Sequence, residues 1–311
     1  MIRRNFLKSA SVAAGTALSG GAMATNWHSQ PTNLGKNTFK LHYAPHIGMF
    51  ESSAGKDPID QIKFMADQGF TALEDNGMMG REPALQEKIG AEMARLGMKM
   101  GVFVVDKGGN GQNSLAAGKQ EYIDIFLNGC KRAVDVAKRC NAKYMTVVPG
   151  DFDRNLPIGI QTGHVIDALR RGSEILAPAG LVMVLEPLSD TPNLFLRTSD
   201  QTYEICRGVN SQACKILFDV YHMQKNEGSV IPHINWCWNE IGYFQIGDNP
   251  GRKEPTTGEI NYKNIFKHVY QKAKAENKEF IWGMEHGNSR PGKEGEEALI
   301  RAYVESDSFT V

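Results

Sequence analysis

Hydrophobic and polar positions along the chain alternate between two periods. Short apolar runs, of the kind that form buried strands, are each followed by a longer segment with apolar residues at helical spacing. The apolar runs predict strands at 41–47, 70–74, 99–105, 144–148, 181–185, 215–220, 243–246 and 280–284. The helical spacing predicts helices at 58–68, 83–96, 120–140, 163–176, 199–209, 230–240, 262–276 and 295–305. The pattern therefore predicts eight consecutive strand–helix units.

Strict alternation of strands and helices favours a parallel sheet with helical crossovers. Eight such units closing on each other form the (β/α)8 or TIM barrel, and we expect one α/β barrel domain over residues 41–311. The alternative is an open, doubly wound sheet. It is disfavoured because the count is eight and because no glycine-rich dinucleotide-binding motif follows the first strand.

Residues 1–25, MIRRNFLKSASVAAGTALSGGAMAT, have the pattern of an export signal. Arg3 and Arg4 are followed by Asn-Phe-Leu-Lys, which resembles the twin-arginine signal, and Ala22-Met23-Ala24 matches a cleavage site. The stretch is too short and too weakly apolar for a transmembrane helix. The alternative to an export signal is an ordinary amphipathic helix at the N-terminus. We therefore expect a polar lead-in at 26–40 and a periplasmic or otherwise exported protein that is not inserted in a membrane after cleavage. It would be cytoplasmic if the signal is not used.

Composition narrows the classes of partner. Basic and acidic residues balance at 35 each, so nothing favours binding to nucleic acid or to an acidic membrane surface. The five cysteines show no C-x-x-C spacing, which favours small buried hydrophobic residues over a zinc site or a disulfide framework. One incidental disulfide in an exported protein is left open.

Polar residues at strand ends carry the candidate chemistry, because the active sites of such barrels lie at the carboxyl ends of the strands. The candidates at those positions are His42, His46, Glu74, Asp75, Asp106, Asp151, Asp153, Glu186, Asp219, His222, Gln245, Asp248, Glu285 and His286. We expect these side chains to converge on one mouth of the barrel.

Four of these residues, on four consecutive strands, are oxygen donors: Glu186, Asp219, Gln245 and Glu285. Four oxygen ligands that leave further coordination positions open suit Mg²⁺ or Mn²⁺, and they can also hold Co²⁺ or Zn²⁺. Three carboxylates placed together repel one another unless a cation neutralises them. Each residue alone is better explained as a helix cap or a solvated loop residue, whereas the set of four at equivalent strand ends predicts a metal site.

Four further residues are candidate substrate contacts: His46, Glu74, His222 and Arg252. His46 and Glu74 end the first two strands, and His222 follows Asp219 by three residues. Arg252 lies in a loop that begins with the turn residues Gly247 to Gly251, and a guanidinium there can hold a carboxylate or hydroxyls. The alternatives are a structural histidine for His222 and a surface arginine for Arg252.

Several short motifs resemble one known family. They are Glu186-Pro187, Asp219-Val220-Tyr221-His222, Gln245-Ile246-Gly247-Asp248, Pro250-Gly251-Arg252, Glu254-Pro255, Thr257 to Tyr262, and Glu285. Together they resemble the hydroxypyruvate isomerase group of the xylose-isomerase-like TIM barrels, and the resemblance covers the chain from the first strand onward. Two stretches depart from the group. Leu188-Ser189-Asp190 stands where it tends to have Ile-Asn, and Asp106-Lys107 with the loop 108–118 replaces its usual third-strand ending.

The resemblance implies a divalent metal held by Glu186, Asp219, Gln245 and Glu285. It also implies that the two glutamates flank the substrate as acid and base, while His222 and Arg252 orient it. The implied reaction converts hydroxypyruvate to tartronate semialdehyde, with the metal on a carbonyl oxygen and a neighbouring hydroxyl and with proton transfer through an enediolate.

Other functions are left open at this stage. An exported epimerase, isomerase or lyase acting on keto-sugars or glycosides would use the same site. A related phosphodiesterase or nuclease would need a histidine-rich cluster and a basic surface, and neither is evident. A non-catalytic sugar-binding barrel is disfavoured because both acid/base glutamates are present. The expected partner is a small keto acid or sugar, and homo-oligomerisation is left open.

Overall fold

The computed structural model describes residues 37–311. The predicted export signal at 1–25 and most of the lead-in at 26–40 lie outside the described residues. Within the described part of the chain, no helix combines the length and the apolar character that crossing a membrane requires.

Eight parallel strands form the centre of the molecule: β1 (His42–Ala44), β2 (Ala72–Leu73), β3 (Lys99–Met100), β4 (Tyr144–Val147), β5 (Val182–Leu185), β6 (Cys214–Asp219), β7 (Ile241–Gln245) and β8 (Ile281–Gly283). Six of them pair in the order β1-β8-β7-β6-β5-β4, and β2 pairs with β3. Two isolated parallel bridges, His46 to Glu74 and Val104 to Thr146, join the two sheets. The pairings therefore close the ring, and the predicted TIM barrel is confirmed.

Within residues 37–311, ten α-helices surround the barrel: α1 (Glu51–Ala54), α2 (Pro58–Asp67), α3 (Pro83–Leu96), α4 (Gln120–Cys140), α5 (Ile158–Leu176), α6 (Ser199–Val209), α7 (Val220–Asn226), α8 (Val230–Cys237), α9 (Tyr262–Ala275) and α10 (Gly292–Asp307). Local signals set several of their ends. Asp57 caps α2 by accepting from the Ile59 amide, and Gly97 ends α3 in the left-handed conformation that glycine tolerates. All five cysteines are buried, as predicted, and none of them is paired in the structure.

Helices α1 and α7 were not predicted, and α7 corrects the prediction that the sixth strand extends to Val220. The chain turns into a helix directly after Asp219, because the carboxylate of Asp219 accepts from the amides of Tyr221 and His222. A strand-ending aspartate that also caps a helix gives no separate signal in the hydrophobic pattern. Helix α5 also begins earlier than predicted, at Ile158 instead of Gly163.

The barrel interior is filled by small and β-branched side chains around one large residue, Tyr243. Two glycines leave room for the polar groups that enter this interior. A Cβ on Gly101 would lie 2.3 Å from the Tyr243 hydroxyl, and a Cβ on Gly283 would lie 1.8 Å from a carboxylate oxygen of Glu74. The closed barrel thus admits a buried tyrosine and a buried carboxylate directly beneath its carboxyl mouth.

Candidate metal and active site

The predicted ligand residues meet at the carboxyl mouth of the barrel. Glu186 follows β5, Asp219 ends β6, Gln245 ends β7, and Glu285 follows β8. One ligand atom from each of Glu186, Asp219, His222 and Glu285 lies within 4.8 Å of all the others. Gln245 is the register partner of Asp219 on the adjacent parallel strand, so both side chains point to the same face of the sheet.

Two oxygens of this set are buried without a hydrogen-bond partner. They are Oε1 of Glu186 and Oε1 of Gln245. Gln245 donates its amide N–H to Oε1 of Glu74 at 3.0 Å, which fixes the amide and leaves its oxygen unpaired. Buried acceptors without partners are rare because each costs free energy, so these two oxygens fit the role of ligands to a cation. An all-oxygen donor set of this kind fits Mg²⁺ or Mn²⁺.

Mutual repulsion and burial act on the carboxylates of the cluster. Burial, with Glu285 and Asp219 nearby, raises the pKa of Glu186 well above its ordinary value. Burial also raises the pKa of Glu285 to about 7, opposed by the Arg252 guanidinium and reinforced by Asp219. Carboxyl groups with raised pKa values are suited to exchange protons near neutral pH. A divalent cation would relieve the same repulsion.

Among the described residues, Arg252 is the positively charged side chain that contacts this cluster. Its Nη2 lies 2.6 Å from Oε2 of Glu285 and 3.4 Å from Oδ2 of Asp219, and its Nε donates to the Glu285 carbonyl oxygen at 3.1 Å. Its Nη1 lies 3.7 Å from Asp190 at the rim. Burial alone would lower the pKa of Arg252, but Glu285, Asp219 and Glu186 outweigh it and raise the pKa. Arg252 is thus held inside the site, as predicted for a substrate-orienting residue, and is not a free surface arginine.

The loop that carries Arg252 is built around one buried carboxylate, Asp248. It accepts hydrogen bonds from the amides of Asn249, Gly258 and Ile260 at 2.9, 2.8 and 3.0 Å. This network explains why the stretch is dense in turn residues: its backbone folds back on a single side chain. Asp248, predicted at the mouth as a chemical group, is therefore a structural residue of the loop.

The same loop is tied to its neighbours. The Tyr262 hydroxyl donates to the Gly247 carbonyl oxygen at 2.8 Å, and the Gly247 amide lies 3.0 Å from the same hydroxyl. Glu254 accepts from the Ser289 amide at 2.8 Å, which joins the loops after β7 and β8. The backbone that supports Arg252 is therefore braced on two sides.

The other predicted substrate contacts lie beside or below the cluster. His222 is fully buried, with Nε2 at 3.5 Å from Asp219 and 3.8 Å from Glu186. His46 lies at the mouth with Nε2 at 3.3 Å from the His286 carbonyl oxygen. Glu74 is 1% exposed and accepts from Gln245 and from the Tyr243 hydroxyl, each at 3.0 Å. Contact of His46, Glu74 and His222 with substrate stays a prediction.

Two residues predicted at the mouth lie away from it. His42 is at the amino end of β1, where Nδ1 is 2.7 Å from the Thr71 hydroxyl and Nε2 is 3.2 Å from the Lys99 amine. The prediction failed because β1 begins at His42 and does not end there. Asp106 points outward and pairs with Arg132 of α4 at 2.9 Å.

Other candidates serve the loops and the core. Asp75 pairs with Arg81 and accepts from the Gly77 amide. Asp153 accepts from the Asn155 amide, in the loop that also holds Asp151. His286 accepts the Tyr303 hydroxyl proton at 2.7 Å. In each case a nearby backbone or side-chain donor satisfies the group, a fact that residue type and strand position do not reveal.

Sequence reasoning missed two residues of the site. Asn76 donates to Oε1 of Glu285 at 2.9 Å, and its own Oδ1 is buried without a partner. Asn76 could have been predicted as a site residue because it directly follows Glu74 and Asp75 at the end of a strand. Ser189 contacts His222 from the loop after β5, and only the departure of Leu188-Ser189-Asp190 from the resembled group pointed to it.

The fold and the site together define a parallel β/α barrel with, at its carboxyl mouth, an acidic cluster whose side chains could hold a metal ion. A family model described as "Xylose isomerase-like TIM barrel" matches residues 62–302, and the chain belongs to this family. The resemblance seen in the motifs is thereby confirmed.

Among named relatives, the chain is 30% identical to the hydroxypyruvate isomerase of Escherichia coli over 148 residues, covering 46% of this chain and 56% of that protein. It is 32% identical to the 2-oxo-tetronate isomerase of Cupriavidus necator over 122 residues, covering 39% and 45%. The chain thus spans about half the length of these relatives. A solved structure from Brucella melitensis, described as an AP endonuclease of family 2, matches with a TM-score of 0.71 at 19% identity, covering 85% of this chain and 99% of that one. That likeness concerns the fold.

Proposed function

We propose that this protein is a divalent-metal-dependent isomerase of the hydroxypyruvate isomerase type. It would convert hydroxypyruvate to tartronate semialdehyde by moving a proton between adjacent carbons. Support comes from the isomerase names of the relatives and from the cluster at the mouth. The observation that carries the proposal is the meeting of Glu186, Asp219 and Glu285 at one mouth, where Oε1 of Glu186 and Oε1 of Gln245 are buried without a hydrogen-bond partner among the described residues.

The donor set would be Glu186, Asp219, Gln245 and Glu285, with Mg²⁺ or Mn²⁺ as the fitting ions and Co²⁺ or Zn²⁺ as alternatives. When bound, the ion supplies Lewis-acid polarisation of the substrate carbonyl, which makes the adjacent C–H acidic. One glutamate takes the proton from the carbon that bears the hydroxyl. The hydroxyl proton passes to the former carbonyl oxygen and a proton is delivered to the neighbouring carbon. One C–H and one O–H bond are thus broken and one of each is formed, so the oxidation states of the two carbons exchange without an external oxidant or reductant. Arg252 holds the Glu285 carboxylate in position for this transfer.

The test is proton NMR in D₂O with the Mg²⁺-loaded protein and hydroxypyruvate. We expect tartronate semialdehyde with deuterium at the carbon that receives the proton. Glu186→Gln and Glu285→Gln should each lower turnover by at least about 10²-fold, the typical contribution of a positioned acid or base. Glu240→Gln is the matched control, because Glu240 is a buried glutamate at the amino end of β7, bonded to Lys215 and Arg207. Near-normal turnover in either site variant would refute the assignment.

A second candidate uses the same site on an uncharged keto-sugar or glycoside, as an epimerase, isomerase or lyase. The observation that favours it is the surroundings of Arg252, which already faces Glu285, Asp219 and Asp190. Three carboxylates leave little positive charge for a fourth one on the substrate, whereas hydroxyl groups meet no such repulsion. Deuterium entering a ketose and not hydroxypyruvate in the same NMR panel would select this candidate.

We also propose that residues 1–25 direct export by the twin-arginine route, so that the protein acts outside the cytoplasm. The doubled arginines and the Ala22-Met23-Ala24 site support this. Replacing Arg3 and Arg4 by lysine should retain the protein in the cytoplasm. Intact mass of the exported wild-type protein should correspond to a chain that begins near Thr25, and an uncleaved periplasmic protein would refute the cleavage site. Self-association remains to be measured by sedimentation.

A further inference from the structure

His222 has two ring nitrogens with different surroundings. The ring is fully buried on the first turn of α7, three residues after Asp219. Its Nδ1 lies 3.1 Å from the backbone nitrogen of Ser189 and 2.7 Å from the Ser189 hydroxyl oxygen. Its Nε2 faces the acidic cluster and has no hydrogen-bond partner in the described part of the chain. The two nitrogens therefore have separate tasks.

The Ser189 amide determines where the proton of the ring sits. A backbone N–H always donates and cannot accept, and the Ser189 N–H points at Nδ1. Nδ1 must therefore present its lone pair, and the proton of the neutral ring must lie on Nε2. The Ser189 hydroxyl, at 2.7 Å, can share the same lone pair by donating as well.

The contact between Ser189 and His222 is braced by a second one. Asn226, at the end of α7, donates to the Leu188 carbonyl oxygen at 3.1 Å and to the Arg197 carbonyl oxygen at 2.7 Å. The Leu188 amide in turn donates to the Leu196 carbonyl oxygen at 3.2 Å. Helix α7 and the loop after β5 are thus joined at two points, so Ser189 cannot move away from the ring independently.

We propose that Ser189 is a positioning residue that holds His222 in the Nε2–H form, so that the ring, which the resemblance already implies orients the substrate, offers an N–H and not a lone pair to the site. His222 is then not a metal ligand, although its ring lies among the ligand residues. The identity of the acceptor oxygen rests on the proposed function, whereas the position of the proton does not. The inference deepens that function in two ways. The ligand set is oxygen only, and the substrate must place a carbonyl or hydroxyl oxygen next to Nε2.

The position of the proton can be observed without any activity. The full chain with ¹⁵N-labelled histidine is recorded in two-bond ¹H–¹⁵N correlation spectra, with and without Mg²⁺, and His222→Gln identifies the His222 signals. We expect a protonated Nε2 and an unprotonated Nδ1 in both spectra. A protonated Nδ1, or loss of the Nε2 proton when Mg²⁺ is added, would overturn the proposal. Ser189→Ala should keep the same form, because its backbone N–H is retained, and a switch of tautomer in that variant would overturn the role of the amide.

A pair of variants then separates donation from ligation. Glutamine at position 222 places an N–H near the position of Nε2, whereas asparagine is too short and keeps only the side facing Ser189. We expect His222→Asn to lower kcat by about 10²–10³-fold, the typical cost of one preorganised donor, and His222→Gln to lower it less. The Kd for Mg²⁺ should change by less than about threefold in both, whereas even an outer-shell partner of a metal typically accounts for 10- to 100-fold. Weakened Mg²⁺ binding in both variants would show ligation and refute donation.

The two levels of the proposal fail in distinguishable ways. If wild-type protein binds no Mg²⁺ and turns over no substrate, the proposed function has failed, while the spectra still report the ring proton. If metal binding and turnover are present and the ring carries its proton on Nδ1, only the role of Ser189 has failed.

Discussion

Glu74→Gln provides the sharpest test of how the metal site is built. In the native protein both oxygens of Glu74 accept, one from Gln245 and one from Tyr243, each at 3.0 Å. A glutamine has one acceptor oxygen and one donor nitrogen in the same place, so it can serve only one of these two donors. If its nitrogen faces Gln245, the Gln245 amide must turn its oxygen toward it and away from the ion.

The expected magnitude follows from that lost bond. Turning the Gln245 oxygen back toward the ion would break that bond and leave buried amide groups without partners, which costs about 1–3 kcal/mol, and about 1.4 kcal/mol corresponds to a factor of ten in affinity. We therefore expect the Kd for Mg²⁺ to rise by about 10- to 100-fold, which agrees with typical losses on removing the outer partner of a metal ligand. The melting temperature should change little, because the substitution keeps the size and shape of a side chain in a packed interior.

Isothermal titration with Mg²⁺ or Mn²⁺ measures this directly, with Glu240→Gln as the matched control for replacing a buried glutamate. The control should bind the ion with wild-type affinity. If Glu74 contacted only the substrate, KM would rise while the Kd for the ion stayed the same. Unchanged ion affinity in Glu74→Gln would refute the view that Glu74 orients Gln245.

Three further perturbations test other parts of the structure. Asp248→Ala removes the acceptor for three backbone amides. We therefore expect the free energy of unfolding, measured by chemical denaturation, to fall by at least about 2 kcal/mol, and kcat/KM to fall because Arg252 loses its support. Replacement of the exposed Asp200 by alanine is the control and should change neither quantity. Arg252→Lys cannot reproduce the forked contacts to Glu285 and Asp219, and it should lower kcat at least about tenfold while leaving the circular dichroism spectrum unchanged; full activity would mean that a point charge suffices. Burial raises the pKa of the Cys130 thiol to about 12, so at pH 8 the reactive thiolate is scarce and the folded protein should not react with a thiol-specific disulfide reagent, whereas the unfolded protein should titrate all five cysteines. Rapid labelling of the native protein would contradict the described burial.

The convergence of the four candidate ligand residues could be predicted from sequence because barrel geometry makes strand ends equivalent. Glu186, Asp219, Gln245 and Glu285 each end an apolar run, and parallel strands bring such ends to one mouth. The same reasoning failed for His42, because the hydrophobic pattern does not locate the first and last residues of a strand precisely. His42 is the first residue of β1. A residue that opens a strand instead of ending it lies at the opposite face of the barrel.

The hydrophobic pattern could not predict which residues distant in the chain become hydrogen-bond partners. Asp248 has the same residue type as Asp219 and follows the end of β7 by three residues, yet it binds three amides of its own loop. Glu74 supports Gln245 from 171 positions away in the chain, and Asn76 supports Glu285 from 209. Which carboxylate serves the fold and which serves the site depends on donors that only the folded chain brings near.

The sequence by itself therefore determined the class of fold, the burial of the cysteines and the meeting of the candidate ligand residues at one mouth. These follow from local periodicity and from the regular rule that places strand ends together. Only the tertiary structure decided that α7 begins at Asp219, that Arg252 points inward, that Glu74 lies beneath Gln245, and that the Ser189 amide faces His222. Hydrogen bonds act over about 3 Å and depend on direction, so they are settled by contacts between distant segments and not by the order of residues along the chain.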